Sequence, residues 1–310
     1  MQRTIRTAVV TGPTGAIGHA LCEKLLAEGC TVYAVSHPGG RRTDTLPRDG
    51  RLHLVLCDAA DYGALAEKIP EKADAFFHLA WAHTTGAGRN DLPAQIENID
   101  HTVAAVRAAA QLQCTVFVGA GSQAEYGRVE GLLQPDTPPH PENGYGMAKL
   151  CAGQMSRLEC ERLGLAHVWP RVLSVYGPYD GPNSMIPAVI RTLLAGGCPA
   201  LTEGVQRWDY LYAGDAAEAF WRMAVAGKNG AVYPLGSGNA RPLRDYLETL
   251  RDAIDRGLPL GLGQLPYGPR QVMHLQADLS ALRQDTGFVP QTTFADGIRK
   301  TIEWIRNEQA

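Results

Sequence analysis

Residues 7–11, Thr-Ala-Val-Val-Thr, form a short apolar run that reads as a strand, and Gly12-Pro13-Thr14-Gly15-Ala16-Ile17-Gly18 follows it without a break. Behind the glycines, residues 16–28 place Ile17, Leu21, Leu25 and Leu26 at helical spacing, and a second strand is expected over 31–36 after Gly29. Few folds accept the order strand, glycine turn, helix, strand. The glycines permit a tight turn and let a pyrophosphate approach backbone N–H groups at the positive end of the helix. The segment therefore predicts a dinucleotide site opening an α/β domain.

Further strand-like runs occur at 52–57, 75–79, 115–119 and 166–172, separated by helical patterns such as 94–112 and 144–163. Such alternation means an α/β fold, a doubly wound parallel sheet of the Rossmann type. Ligands of such sheets bind at the carboxyl ends of the strands. Gly12, Ser36, Asp58, His78 and Ser122 all fall at or just after a strand end, so one rim collects the polar chemistry. From Gly177 the texture changes: prolines and glycines flank a helix over 185–194, and a second irregular stretch runs from 236 to 270. Residues 208–212 and a helix over 215–226 lie between them and return to the core. The expected organisation is a dinucleotide-binding domain of residues 1–176 joined by 206–235. A smaller, discontinuous C-terminal substrate lobe takes 177–205 and 236–290, and a closing helix occupies 291–310.

The 310 residues can bury a large core, and a formal net charge of -3 without basic blocks argues against nucleic acid as a partner. No apolar run is long enough to span a membrane, and residues 1–6 lead into the first strand without a signal-peptide core, so a cytoplasmic protein is expected. The seven cysteines show no Cys-x-x-Cys, and the nine histidines no ligand spacing; no metal site is expected.

Tyr145 and Lys149 are four residues apart, which on a helix puts phenol and ammonium on one face. A neighbouring cation lowers a phenol pKa, and a phenol titrating near neutrality is a usable acid/base. With Ser122 as a second hydrogen-bond donor and the glycine loop as cofactor cradle, the set describes a hydride-transfer site. At the end of the second strand stands Ser36 rather than a carboxylate, followed by His37, Arg41 and Arg42. A hydroxyl and guanidinium groups accept a ribose 2′-phosphate that a carboxylate would repel, so NADP is favoured over NAD, unless the two arginines are ordinary solvated loop charges.

These residues resemble the extended short-chain dehydrogenase/reductases that act on nucleotide sugars, the group containing UDP-galactose 4-epimerase. The resemblance covers essentially the whole chain. Its landmarks are Thr11 to Gly18, Cys57-Asp58, Phe77-His78-Leu79-Ala80, Asn98, Gly121 to Gly127, Tyr145 to Lys149, Arg171 with Val175-Tyr176-Gly177-Pro178, Asp209 to Tyr212, and Gly287 to Pro290. It implies that Tyr145 is the acid/base on the sugar oxygen, that Ser122 bonds the same oxygen, and that Lys149 holds the nicotinamide ribose. It also implies dinucleotide contacts from Gly12, Thr14, Gly15, Ala16, Ile17, Gly18, Ser36, His37, Arg41, Arg42, Asp58, Ala59, Leu79, Ala80, Trp81 and Asn98. For Asp58 a helix N-cap before Ala59 is an equal alternative. Substrate contacts are expected from Ser122, Gln123, Ser174, Arg207 and Arg270, the last against the diphosphate or else solvated. A homodimer through the 94–112 and 144–163 helices is implied as well.

The departures from the family pattern bear on the reaction. Dehydratases of the group place an Asp-Glu pair after the serine or threonine, where this chain has Gln123 and Ala124. A 4,6-dehydratase is disfavoured on that ground. A family asparagine is replaced by Ser174, and a phosphate-binding arginine by Trp208 with Arg207 one place off. The leading expectation is a nucleotide-diphosphate sugar 4-epimerase, the alternative an NADPH-dependent 4-keto sugar reductase. A non-catalytic NADP sensor is disfavoured by the intact Ser122, Tyr145 and Lys149, and a small-carbonyl reductase by the large lobe after Gly177.

Overall fold

The computed structural model describes residues 2–309. In chain order its elements are β1 (Thr7–Thr11), α1 (Ala16–Ala27), β2 (Thr31–Ser36), β3 (Leu52–Leu56), α2 (Leu65–Lys68), β4 (Ala75–His78), α3 (Leu92–Gln111), β5 (Val116–Gly119), β6 (Gly121–Ser122) and α4 (Gly144–Leu163). There follow β7 (Ala166–Val172), β8 (Ser174–Tyr176), α5 (Met185–Leu194), β9 (Arg207–Trp208), β10 (Tyr210–Tyr212), α6 (Ala213–Ala226), β11 (Ala231–Leu235), β12 (Arg241–Pro242), α7 (Leu243–Asp252), α8 (Ser280–Thr286) and α9 (Phe294–Gln309).

The main sheet runs β11-β7-β5-β4-β1-β2-β3, with β6 added beside β7. Its pairs are parallel, from Thr7 against Thr31 on one side of β1 to Ala8 against Ala75 on the other. The strand order reverses between β1 and β4, which opens the crevice where such sheets bind ligands. Strands covered on both faces read as unbroken apolar runs, and all five residues of β1 are buried. Val10 joins Leu21 and Leu25 of α1 and Phe220 of α6 in one core, whereas Val9 joins Val106 and Ala109 of α3 on the opposite face. This is the doubly wound arrangement that the alternating pattern predicts.

A third apolar cluster is built from Ile186 and Ile190 of α5, Leu247 and Leu250 of α7, and Ile298, Ile302 and Ile305 of α9. Helix α9, which falls in the expected closing helix, thus contributes to the same cluster as the two irregular segments. Asp209, fully buried, ties that region to the sheet by accepting from the N–H groups of Ser237 (2.6 Å), Gly238 (3.0 Å) and Ala277 (3.0 Å). Helix α3 begins earlier than apolar periodicity indicates, because Asp91 caps it and a proline occupies its first turn. Among the described residues the cysteines are free, no helix is long and apolar enough to cross a membrane, and no group of three His, Cys, Asp or Glu side chains could hold a metal.

Candidate active site

The loop after β1 folds back onto the end of β4. Gly12 has φ +69°, and a Cβ there would lie 2.9 Å from the Ala80 nitrogen; a Cβ on Gly18 would lie 2.1 Å from the Gly12 carbonyl oxygen. Thr11 Oγ1 accepts from the N–H groups of Leu79 and Ala80, both at 3.2 Å. Beside this loop a 380 Å³ cleft is lined by Gly12, Thr14, Ser36, His37, Asp58, Ala59, Ala80, Trp81 and Asn98. Across Gly12 and Trp81 it adjoins a 330 Å³ cleft lined by Gly15, Ala16, Ile17, Gly18, Leu79, Ser122, Tyr145 and Lys149. Two clefts meeting at a glycine-rich loop that opens a helix fit a dinucleotide, with room for its pyrophosphate at the start of α1.

Of the two roles expected for Asp58, the structure shows the cap. Asp58 caps the 3₁₀ turn Ala59–Ala64 through the Ala60 N–H (3.0 Å), and it lines the cleft while pairing with His37 Nε2 at 2.9 Å. Asn98 brackets Ala82, accepting from its N–H at 2.9 Å and donating to its carbonyl at 3.1 Å, and so orders the chain after β4. The expectation for Arg41 and Arg42 is corrected. Neither lines the cleft. Arg42 has φ +66° and donates to the Tyr179 carbonyl at 3.0 Å, and Arg41 is exposed. The cause is the left-handed turn at Arg42, after which His19 Nε2 lies 2.9 Å from the Thr45 carbonyl oxygen and draws the loop towards α1.

Tyr145 stands in the first turn of α4, whose cap Asn143 accepts from the Gly146 N–H at 2.9 Å. Lys149 is 4% exposed; its Nζ donates to the Ala120 carbonyl at 2.6 Å and lies 3.6 Å from the Trp81 ring centroid. Burial pulls the Lys149 ammonium down to about 7. Burial likewise raises the Tyr145 phenol above its ordinary value, against the opposing effects of a Ser122 hydrogen bond and the charge of Arg89. The expectation that Lys149 lowers the phenol is therefore corrected: the ammonium is turned to Ala120 and Trp81, and the nearest cation is Arg89, whose Cζ lies 4.7 Å from the Tyr145 ring centroid.

Ser122 is fixed by a reciprocal cap. Its Oγ accepts from the Ala124 N–H at 3.2 Å, while its own N–H donates to Glu125 Oε1 at 2.8 Å. Glu125 is fully buried and also accepts from Arg171 Nε (2.7 Å) and Trp169 Nε1 (3.1 Å). With a lone pair of Oγ occupied, the Ser122 hydroxyl proton is left to donate to the Tyr145 oxygen at the cleft. A Cβ on Gly121 would lie 2.4 Å from Trp169 Nε1 and 2.6 Å from Glu125 Oε1, so this network requires glycine before the serine.

Next to these groups opens a 470 Å³ cavity lined by, among others, Arg89, Gln123, Arg128, Glu142, Trp208 and Arg270. Gln123 and Arg270 thus meet at one site, with Arg270 Nη1 3.5 Å from the Glu142 carbonyl oxygen. Arg207 does not join them. Successive strand residues face opposite ways, so Trp208 takes the cavity side and Arg207 donates to the Ala240 carbonyl at 2.5 Å. Ser174 is likewise engaged, accepting from the Trp208 indole N–H at 2.8 Å. Arg89 and Asp180 are among the lining residues that escaped sequence reasoning. Arg89 carries no local motif, and Asp180, a carboxylate raised by burial beside the Lys149 cleft, looks like a loop residue, accepting from the Gly181 N–H (2.7 Å) and Ser184 hydroxyl (2.9 Å).

The profile of the NAD dependent epimerase/dehydratase family matches residues 8–236. A dTDP-glucose 4,6-dehydratase of Streptomyces niveus is 29% identical over 197 residues, covering 63% of this chain and 58% of that protein. The match thus spans little more than half of that relative's length. Among solved structures, UDP-N-acetylglucosamine 4-epimerase from Methanobrevibacter ruminantium M1 in complex with UDP-N-acetylmuramic acid superposes with a TM-score of 0.89 at 25% identity, over 99% of this chain and 100% of that one. MoeE5 in complex with UDP-glucuronic acid and NAD superposes with a TM-score of 0.84 at 26% identity, over 97% and 99% of the two chains. With the glycine loop, the parallel sheet and a family match running from β1 to the end of β11, the chain belongs to the NAD dependent epimerase/dehydratase family.

Proposed function

We propose that the protein is a nucleotide-sugar 4-epimerase with Tyr145 as its acid/base. The observation that carries this reading is that Ser122, Tyr145 and Lys149 line one cleft with the glycine loop, beside the cavity that holds Gln123 and Arg270. A bound nicotinamide supplies the hydride acceptor and donor. Tyr145 in its phenolate form takes the proton of the sugar 4-hydroxyl and, as the phenol so formed, returns it after the sugar has turned its other face. The Ser122 O–H steadies the same oxygen as its charge changes. In this reading Lys149 holds the dinucleotide ribose, and Arg270 the diphosphate. The likeness to a UDP-N-acetylglucosamine 4-epimerase supports this reading.

A 4,6-dehydratase is the reading that the name of the Streptomyces niveus relative favours. Against it, the residues after Ser122 are Gln123 and Ala124, and the neighbouring carboxylate, Glu125, is held by three donors and fully buried. At the adenosine end, Ser36 and His37 line the cleft, but Arg41 and Arg42 do not, so we propose that NADP and NAD are separated by less than about tenfold, the worth of one good charge-assisted contact. Exposed Leu92 and Ile96 on α3 with Met147, Met155 and Leu158 on α4 support a homodimer through these helices.

The test is to incubate the enzyme, saturated with either dinucleotide, with UDP- and dTDP-hexoses while following reduced-nicotinamide absorbance and sugar configuration. Interconversion of 4-epimers without net redox change is expected. Stoichiometric NADPH consumption with a 4-keto sugar would establish the reductase instead, and loss of water to a 4-keto-6-deoxy sugar the dehydratase.

A further inference from the structure

Arg89 is a cation without a partner at the edge of the reacting groups. It belongs to the 3₁₀ turn Gly86–Asn90, is half-buried, and its buried Nε has no hydrogen-bond partner. Glu142, the one carboxylate lining the adjoining cavity among the described residues, is held by Arg128 at 2.9 Å. The turn is nonetheless fastened in place. Asn90 Oδ1 accepts from the Gly144 N–H at 2.9 Å, immediately before Tyr145, and Gln95 Nε2 donates to the Gly88 carbonyl at 3.1 Å. A Cβ on Gly144 would lie 3.0 Å from the Arg89 carbonyl oxygen, so the two backbones are in close contact. The chain thus holds an unpaired guanidinium over the ring of Tyr145.

A planar guanidinium with free N–H groups pairs best with a planar carboxylate, through two parallel hydrogen bonds. The cavity offers two guanidinium groups unpaired with any carboxylate, and they sit differently. Arg270 is exposed and reaches the Glu142 carbonyl, whereas Arg89 lies against the phenol that acts on the sugar. One anion of the substrate, the diphosphate, is assigned to Arg270. We infer that Arg89 selects a second anion, a carboxylate on the sugar, so that the preferred substrate is an acidic nucleotide sugar rather than a neutral one; this rests on the nucleotide-sugar reading above. A neutral sugar would exclude water from Arg89 and give it no partner, so the same residue discriminates by penalty as well as by attraction.

The experiment measures, by calorimetry on the full chain saturated with NAD, the Kd of paired neutral and carboxylate ligands (UDP-glucose with UDP-glucuronate, and the dTDP pair) and of UDP and dTDP alone. The wild type is expected to bind a carboxylate member about tenfold or more tightly than its neutral partner, the scale of one charge-assisted contact. Arg89→Gln should erase that ratio and Arg89→Lys should keep part of it. Equal binding of the pair by the wild type, or a ratio untouched in Arg89→Gln, overturns the inference while the nucleotide-sugar reading stands. A loss of UDP or dTDP affinity in Arg89→Gln equal to the loss for the acidic sugar overturns it in favour of a diphosphate contact. Failure of every nucleotide and sugar nucleotide to bind overturns the underlying reading and the inference together.

Discussion

Replacing Lys149 with methionine should make the protein more stable while disabling its site. Lys149 is 4% exposed, and burial holds its ammonium at about 7 where 10.5 is ordinary. At neutral pH the unfolded chain keeps that proton almost fully and the folded site only about half of it, a difference of about 4 kcal/mol in favour of unfolding. Methionine gives up the hydrogen bond to the Ala120 carbonyl and the cation contact with the Trp81 ring, which takes back about half of this. Methionine keeps the stem and removes the charge, so Lys149→Met should gain about 2 kcal/mol near neutrality. The pH dependence has a definite sign. The folded value lies below the unfolded one, so at this group the unfolded state binds more protons between about 7 and 10.5, and the contribution of Lys149 to wild-type stability rises across that window. The variant's advantage is therefore largest below 7 and fades as pH approaches 10.5. Urea unfolding at about pH 6, 8 and 10, with unchanged m-values, measures it. A variant less stable than wild type at the lowest pH, or an advantage that does not shrink with rising pH, would refute the reasoning. Dinucleotide affinity and turnover should fall at every pH.

Tyr145→Phe keeps the ring and its packing and should lower kcat by roughly a hundredfold to ten-thousandfold, with dinucleotide affinity nearly unchanged in a fluorescence titration; retention of most of kcat would remove Tyr145 from its role. Gly18→Ala places a carbon 2.1 Å from the Gly12 carbonyl oxygen, where only backbone could give way, so dinucleotide binding should be lost and calorimetry would detect it. Glu125→Gln leaves Arg171 buried without its counter-charge and should cost about 3 kcal/mol of stability together with much of kcat, since the clamp on the Ser122 backbone weakens. Chemical denaturation and steady-state kinetics on one preparation would show both effects, and a loss of less than about 1 kcal/mol would mean that the pair is replaceable.

The sheet was legible because its signals are local. The glycine run beside an apolar strand, and the recurrence of buried strands between helices, each follow from residues near one another in the chain. Ser122, Tyr145 and Lys149 could be placed on one rim for the same reason, since strand ends and an i,i+4 helix spacing fix direction without knowledge of distant neighbours. What escaped depends on where a long side chain turns. Arg42 follows β2 as a phosphate-binding residue would, yet a left-handed backbone aims it at Tyr179. Arg207 and Trp208 differ by one place, and strand alternation gives the cavity to the indole. Arg89 reaches Tyr145 because Asn90 is bonded to Gly144, a contact between segments far apart in sequence.

The polar groups around the candidate site divide by whether the protein satisfies them. Glu125 accepts from three donors, Asn98 uses both ends of its amide on Ala82, and Asp209 is met by three backbone N–H groups. These partners make the groups structural: they set the backbone of Ser122, the loop after β4 and the joint to the lobe. Lys149 and Arg89 are the opposite case. One is a buried ammonium with a carbonyl and a ring for company, the other a half-buried guanidinium with an idle Nε. Lys149 is destabilising in the free protein, and both would gain partners from the oxygen atoms of a bound ligand. Stability and binding therefore draw on different residues, so the substitutions that separate them, Glu125→Gln on one side and Lys149→Met on the other, should move folding free energy in opposite directions while both lower activity.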